Sequence, residues 1–179
     1  MSEPILKPLL LAIIAGVGRK TEDPLIEWDE ESSIFTVQVD GRDQGRFIGK
    51  EGVVFWAINA VLWYAGIRQV NSHARFALLE PKVRGEATPI PFKPNPKWER
   101  PKIKNIVELL SSNSVGKENV LGIRITETGH AKADVQIVLD PALKKSCEDP
   151  NLAEAIETII SAAGRADGCT INAKVSWGK

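Results

Sequence analysis

This chain of 179 residues has few cysteines, few histidines and no net charge. The two cysteines, Cys147 and Cys169, are too few and too far apart for a disulfide framework or a metal site. They indicate a reducing compartment, and we expect a cytoplasmic protein. The 23 basic and 23 acidic side chains cancel, so the overall charge gives no reason to expect binding to nucleic acid.

Long apolar runs and enzyme motifs are also missing. The run from Leu9 to Val17 is too short to cross a bilayer and predicts a core helix. A signal peptide is the alternative, but Glu3 and the lack of a cleavage site argue against it. Without a P-loop, a dinucleotide fingerprint or a nucleophile elbow, we expect no enzyme, no metal and no cofactor. Because the longest apolar run is too short to span a bilayer, we also expect no membrane partner.

Proline is concentrated in one segment, residues 83–101, which contains Pro89, Pro91, Pro94, Pro96 and Pro101. Alternate prolines fix φ and remove backbone donors, so we expect an extended, semi-rigid linker. This linker predicts two domains, 1–82 and 102–179. The alternative is a long loop inside one domain, but structureless loops of that length are uncommon.

Hydrophobic patterns predict the same order of elements on both sides of the linker: helix, two strands, short helix, long helix, strand. The expected bounds in the first half are 5–17, 25–29, 34–40, 41–48, 53–65 and 73–80, with Gly66 ending the long helix. Those in the second half are 104–110, 120–126, 132–140, 141–147, 151–163 and 169–177, with a turn at 127–130. The fold class is therefore α+β, and the repetition indicates an internal duplication at the level of topology.

The segment Gly49-Lys50-Glu51-Gly52 lies between the short and the long helix of the first half. Two glycines let a backbone approach a phosphate closely and expose its N–H groups. The start of the long helix adds a positive end, and Lys50 and Arg46 add cations, whereas Glu51 opposes a phosphate. The pattern predicts a loop that binds a nucleic-acid backbone.

Residues 4–80 resemble the type II KH domain, in the form found in small bacterial single-KH RNA-binding proteins. Their core G-x-[VI]-I-G-K-x-G is matched by residues 45–52, with Phe47 at the third position. The resemblance implies a three-stranded sheet packed on helices, and single-stranded RNA or DNA held by the loop, in a regulatory protein or a ribonucleoprotein component. The RNA-binding residues it implies are Arg46, Ile48, Gly49, Lys50, Glu51, Gly52 and Val53. The second half has no glycine at the matching place, residues 143–150, and is either a degenerate KH repeat or a generic α+β domain.

The long helix after the loop is apolar on nearly every face. Its outer face carries Val53, Trp56, Ala60 and Trp63, where the resembling proteins carry basic residues. Three explanations stay open: packing on the second domain or the linker, docking of a second copy or another protein, and stacking of Trp56 on bases. The number of adjacent apolar residues favours protein packing. A scaffold module built on a KH fold is therefore the alternative function.

The segment from Lys82 to Lys104 contains seven basic and two acidic residues, and so differs in charge from the rest of the chain. It either follows an RNA backbone, with Phe92 and Trp98 free to stack, or only keeps an exposed linker solvated while Phe92 and Trp98 cover the apolar helix. The candidate contacts in this segment are Lys93, Lys97, Trp98 and Arg100.

Overall fold

The computed structural model describes residues 6–18, 24–70, 73–79, 100–146 and 151–178. Within these ranges it contains six α-helices and two three-stranded sheets, and the α+β class is confirmed. The first half comprises α1 (Lys7–Val17), β1 (Leu25–Asp29), β2 (Ile34–Gln38), α2 (Gln44–Ile48), α3 (Val53–Val70) and β3 (Arg75–Leu78). The second half comprises α4 (Arg100–Val115), β4 (Val120–Gly129), β5 (Lys132–Leu139), α5 (Pro141–Ser146), α6 (Asn151–Ala166) and β6 (Thr170–Trp177).

The two sheets have the same topology. In each one the middle strand pairs antiparallel with the strand before it and parallel with the strand after it, in the orders β1-β2-β3 and β4-β5-β6. The predicted repetition of the element order is therefore confirmed and extends to the strand pairing. Each parallel pair is connected through helices that cover one face of its sheet, as parallel pairs require.

Alternation of apolar and polar residues places one face of each middle strand in the core. In β2, Phe35 and Val37 are buried between half-exposed neighbours, and in β5 the buried residues include Val135, Ile137 and Leu139. The Phe35 ring packs on Trp28 of the neighbouring strand, with ring centroids 4.4 Å apart. Strand periodicity in the sequence therefore identified the buried faces correctly.

The helices of the two halves pack against one another. Helix α3 contacts α4 and α6, and α1 contacts the same two helices. At Gly16 of α1 a methyl group would overlap the Ile106 side chain of α4 and lie 3.5 Å from Ala163 of α6, so glycine allows these helices to approach closely. The buried apolar side chains of both halves form one continuous core. The predicted boundary at 83–101 stays a prediction, since residues 80–99 lie outside the described ranges.

In both halves, a side chain of the long helix accepts a hydrogen bond from the backbone of the edge strand of the sheet. Asn59 and Glu157 each lie six residues after the start of their helix. The Asn59 Oδ1 accepts the backbone N–H of Phe76 at 2.8 Å, and a Glu157 carboxylate oxygen accepts that of Val175 at 2.7 Å. Each bond pairs a strand-edge donor that would otherwise need water, and holds helix and strand at a fixed separation.

Several expected boundaries are wrong, including the end of α4, which lies at Val115 and not at residue 110, and three of the differences have a clear physical reason. Helix α3 continues through Gly66 to Val70, because Gly66 is buried inside the packed helix, and packing outweighs a propensity cost of about 1 kcal/mol. Helix α4 begins at Arg100 and not at residue 104, since Pro101 falls in the first turn, where its missing N–H costs nothing. The β4–β5 hairpin pairs as far as Gly129, and Ala131, with φ 54°, helps to reverse the chain. Among the described residues, no helix is both long and apolar enough to cross a membrane.

Candidate nucleic-acid interface

The glycine loop lies at the solvent-facing start of α3. Gly49, Glu51 and Gly52 have φ values of 74°, 56° and 80°, all in the left-handed region, and residues 50–52 form a single 3₁₀ turn. The Lys50 and Glu51 side chains are 90% and 85% exposed. A left-handed backbone at a glutamate costs about 1–2 kcal/mol, so this loop holds a conformation that the residue type alone does not favour.

The two glycines of the loop have different surroundings. A methyl group on Gly49 would lie 3.0 Å from the Val54 backbone nitrogen. It would lie still closer to the end of the Val54 side chain, nearer than ordinary packing allows. A methyl group on Gly52 would meet nothing within 4 Å. Gly49 is therefore required by the fold, whereas Gly52 leaves open space on the outer side of the loop.

Helix α2 places Arg46 beside the loop, where an ion pair with Asp43 partly neutralises the guanidinium charge. The Asp43 carboxylate, only 1% exposed, lies 3.5 Å from the Arg46 guanidinium nitrogen Nε. The Arg46 side chain keeps 33% exposure, so it reaches solvent from a position that a buried carboxylate restrains. We expect it to supply a fixed rather than a mobile cation.

Lys50 is the more accessible cation. Its ammonium nitrogen lies 3.9 Å from a Glu51 carboxylate oxygen, at the limit of an ion pair, and both side chains are almost fully exposed. Pairs of that kind contribute roughly 0–1 kcal/mol. The ammonium group can therefore leave Glu51 for a phosphate at little cost.

An exposed apolar stripe runs along α3 from the loop. Val53, Trp56, Trp63 and Ile67 are 38%, 37%, 38% and 40% exposed, and Ile48 beside the loop is 41% exposed. The other faces of the helix are covered by α4 and α6 of the second half and by β3, and Ala57, Ile58, Val61 and Ala65 are among the buried residues. Trp56 and Trp63 therefore stay partly exposed beside the second half, and packing of the linker on them stays a prediction. Docking of a partner on the stripe stays a prediction.

A groove with a volume of about 290 Å³ separates this stripe from β3. Its lining residues are Trp56, Asn59, Ala60, Trp63, Tyr64 and Arg75. The Trp63 ring packs on His73, with centroids 4.3 Å apart, and the Arg75 guanidinium carbon lies 6.0 Å from the Trp63 centroid. Asn59, His73 and Arg75 were not among the expected site residues, because only the fold brings β3 next to α3.

The expected site residues divide into two groups. The fold brings together Arg46, Ile48, the loop 49–52 and Val53, with Trp56 and Trp63 further along the same helix. Lys93, Lys97 and Trp98 lie outside the described residues, while Arg100 is the first residue of α4 and its side chain is likewise outside the description.

The acidic side chain of Asp40, close to the loop, stabilises the local turn. The Asp40 carboxylate accepts hydrogen bonds from the Arg42 backbone N–H at 2.9 Å and from its guanidinium at 2.9 and 2.6 Å. The hydrogen bonds to Asp40 raise the pKa of Arg42 above its usual value. Within the described ranges, no group of three or more His, Cys, Asp or Glu residues could hold a metal ion.

Comparison with known proteins adds little. The sequence matches no protein-family model and no curated protein. It is similar to a solved structure described as the crystal structure of APE1850, with 11% identity over 96% of each chain and a TM-score of 0.25. A likeness of that size supports no conclusion about fold or function.

Proposed function

We propose that this protein binds single-stranded RNA and grips its backbone with the loop Gly49–Gly52. The observation that carries the proposal is an exposed glycine loop in left-handed conformation at the start of the 18-residue helix α3. The positive helix end attracts a phosphate there, and the 90% exposed Lys50 adds a cation. We infer a regulatory or ribonucleoprotein role in the cytoplasm, without enzyme activity.

The resemblance to type II KH domains supports this proposal. The observed order of helix, two strands, short helix, loop, long helix and strand agrees with what that resemblance implies. So does a three-stranded sheet packed on helices. In KH domains the loop holds about four nucleotides of a single strand.

The chain contains a matched control for the loop. Gly116-Lys117-Glu118 repeats the same three residue types, and Gly116 also has a left-handed φ, of 86°. A 3₁₀ turn, Lys117–Asn119, follows it as in the candidate loop, but the next element is the strand β4 and not a helix. Lys117 is therefore exposed in a similar turn that follows the carboxyl end of α4, and no helix begins there.

The test is to titrate an unstructured oligoribonucleotide at low salt into the wild type, Lys50→Asp and Lys117→Asp. We expect Lys50→Asp to lower the affinity at least about 10-fold, the worth of one charge-assisted contact, and Lys117→Asp to have a much smaller effect. Affinity should fall only gently with salt, because few cations meet the phosphates. No binding by the wild type, or equal losses in both variants, would contradict the proposal. A single-stranded DNA of the same sequence shows whether the sugar matters.

A second candidate function is a protein-docking module, which the exposed stripe of Val53, Trp56, Trp63 and Ile67 favours. Light scattering with and without nuclease separates the two. A nuclease-resistant oligomer that lacks RNA affinity supports the docking module, and a monomer that binds RNA rejects it.

A further inference from the structure

Aromatic rings line the groove between α3 and β3. Trp56, Trp63 and Tyr64 of the helix form much of its surface, and Arg75 contributes from the strand. The Trp56 and Trp63 side chains are 37% and 38% exposed, so both indole rings are accessible from solvent. Rigid rings of this kind bind a partner at a small cost in side-chain entropy.

Asn59 fixes the two walls of the groove and is itself engaged. Its Nδ2 donates to the Phe55 carbonyl at 3.0 Å, while its Oδ1 accepts the Phe76 N–H at 2.8 Å. The indole N–H groups of Trp56 and Trp63 and the Arg75 guanidinium, by contrast, have no hydrogen-bond partner in the part of the chain that the structure describes. The groove therefore offers chiefly donors, and a matching ligand brings acceptors.

A proline-rich strand in the polyproline II conformation is a ligand of that kind. Its backbone makes no internal hydrogen bonds, so its carbonyl groups are free to accept. Proline has no N–H group, so such a strand brings few donors that would stay unpaired in the groove. A helix does not match in this way, because its carbonyls are bonded internally. Strands with the spacing PxxP bind in aromatic-lined grooves.

The chain contains a segment with this spacing. Residues 89–96 read PIPFKPNP, in which Pro91 and Pro94 are three residues apart. Three residues make one turn of a polyproline II helix, about 9 Å long. Trp56 and Trp63 are seven residues apart on α3, about 10 Å along the helix axis. One turn of the proline-rich segment therefore has nearly the length that separates the two rings.

The chain on both sides of this segment is attached close to the groove. Strand β3, which carries Arg75, ends at Leu78, and the chain returns at Arg100 in α4, which contacts α3. Residues 80–99 lie outside the described ranges, and an extended segment of that length spans about 60 Å. This is about twice the length of α3, roughly 27 Å, so the attachment allows the prolines to reach the groove.

We propose that the α3–β3 groove is the docking site for the chain's own proline-rich segment, residues 89–96. Pro91 and Pro94 each contact one of the two indole rings, and the indole N–H groups and Arg75 donate to carbonyls of the segment. This inference does not depend on RNA binding by the loop.

The size of the surface agrees with a tethered occupant. Val53, Trp56, Trp63 and Ile67, each about two-fifths exposed, leave roughly 300 Å² of their surface in water. A stable interface between separate proteins buries about 800 Å² on each partner. A tethered segment needs less, because its effective concentration is on the order of 1 mM.

The experiment titrates a synthetic peptide of residues 88–97, which contains no tryptophan, into the full-length protein and follows tryptophan fluorescence. The double variant Pro91→Ala, Pro94→Ala should release the groove and bind the peptide. The wild type should bind it more weakly, because its own segment competes. With an effective concentration of about 1 mM, a Kd of about 100 μM in the double variant predicts about 10-fold weaker binding by the wild type.

Three controls test the assignment. Pro81→Ala changes a proline of the same segment outside the motif and should bind the peptide as weakly as the wild type does. Adding Trp56→Leu, or in a separate protein Trp63→Leu, to the double variant should remove binding. A peptide with alanine at positions 91 and 94 should not bind. A cooperative urea transition in each variant confirms that it is folded.

Three outcomes would overturn the proposal. Equal peptide affinity of the wild type and the double variant would mean that the groove is free of the chain's own segment. No binding by the double variant at millimolar peptide would mean that the groove does not accept a proline-rich strand. A dimer in light scattering that is lost in the double variant would mean that the segment docks on a second copy and not within its own chain.

Discussion

Three glycines near the loop have different conformations and surroundings, and replacing each with alanine tests the reasoning on which the site rests. Gly45 lies in α2 without a left-handed φ, and a methyl group there would meet nothing within 4 Å. Gly52 has φ 80° and equally open surroundings. Gly49 has φ 74°, and a methyl group there would clash with Val54.

The expected changes in the free energy of unfolding follow from these three environments. Gly45→Ala should stabilise the protein by about 0.4–1 kcal/mol, because alanine restricts the unfolded chain and suits a helix. Gly52→Ala should cost about 1 kcal/mol, since the left-handed backbone costs about 1–2 kcal/mol and the restricted unfolded state returns part of it. Gly49→Ala adds an overpacking cost of about 1–3 kcal/mol against Val54, which gives roughly 2–4 kcal/mol in total.

Urea denaturation followed by tryptophan fluorescence measures all three changes in the full-length protein, which contains five tryptophans. The expected ranking of stability is Gly45→Ala, wild type, Gly52→Ala and Gly49→Ala, from highest to lowest. RNA affinity should follow a different order. Gly52→Ala stays folded despite its loss of about 1 kcal/mol. Its methyl group lies where a phosphate would approach, so it should bind RNA more weakly than Gly45→Ala does.

Two outcomes would refute this reasoning. Equal destabilisation by Gly49→Ala and Gly52→Ala would mean that the Val54 contact does not constrain the loop. Unaltered RNA affinity of Gly52→Ala, in a protein that does bind RNA, would mean that the open side of the loop is not where the backbone approaches.

Two further predictions concern the core. Ile58→Ala, at a fully buried position of α3, should lower the free energy of unfolding by about 2–5 kcal/mol. Ile67→Ala, at a residue of the same helix that is 40% exposed, should lower it by less than half as much in the same urea titration. The second prediction concerns Cys169. Burial raises the pKa of its thiol above the ordinary 9.0, and the Asp167 carboxylate adds to this effect. The folded state therefore holds this proton more tightly than the unfolded state, so the stability of the wild type relative to Cys169→Ala should be constant below pH 9.0 and decline as the pH rises past it. Unfolding titrations of both proteins at neutral and alkaline pH measure this difference, and a constant difference would contradict the raised pKa.

Local signals in the sequence were sufficient for the elements and for the loop. Apolar alternation identified Phe35 and Val37 as the buried face of β2, and helical spacing identified Ile156 and Ile159 in α6. These predictions succeed because strand and helix periods are properties of neighbouring residues. Boundaries succeeded less well. Gly66 resembles a helix end, but the burial that keeps it inside α3 comes from elements elsewhere in the chain.

The candidate site was only half visible in the sequence. Loop residues 49–52 are consecutive, so their glycines and Lys50 could be found as a motif. The buried position of Asp43 could not, because an aspartate three residues before an arginine is usually an exposed pair. Its burial, which restrains Arg46, depends on the surrounding tertiary packing.

The sequence by itself therefore determined the order of the elements, their buried faces and the glycine loop, since each depends on residues close together in the chain. Only the tertiary structure decided which face of α3 stays exposed and what lies opposite it. Arg75 reaches Trp63 because β3 pairs parallel to β2 and thereby returns beside α3. Likewise, the shared core of the two halves forms where Gly16 meets Ile106 and Ala163 across long sequence separations. Contacts of this kind depend on shape and close packing between distant segments, which no local period encodes.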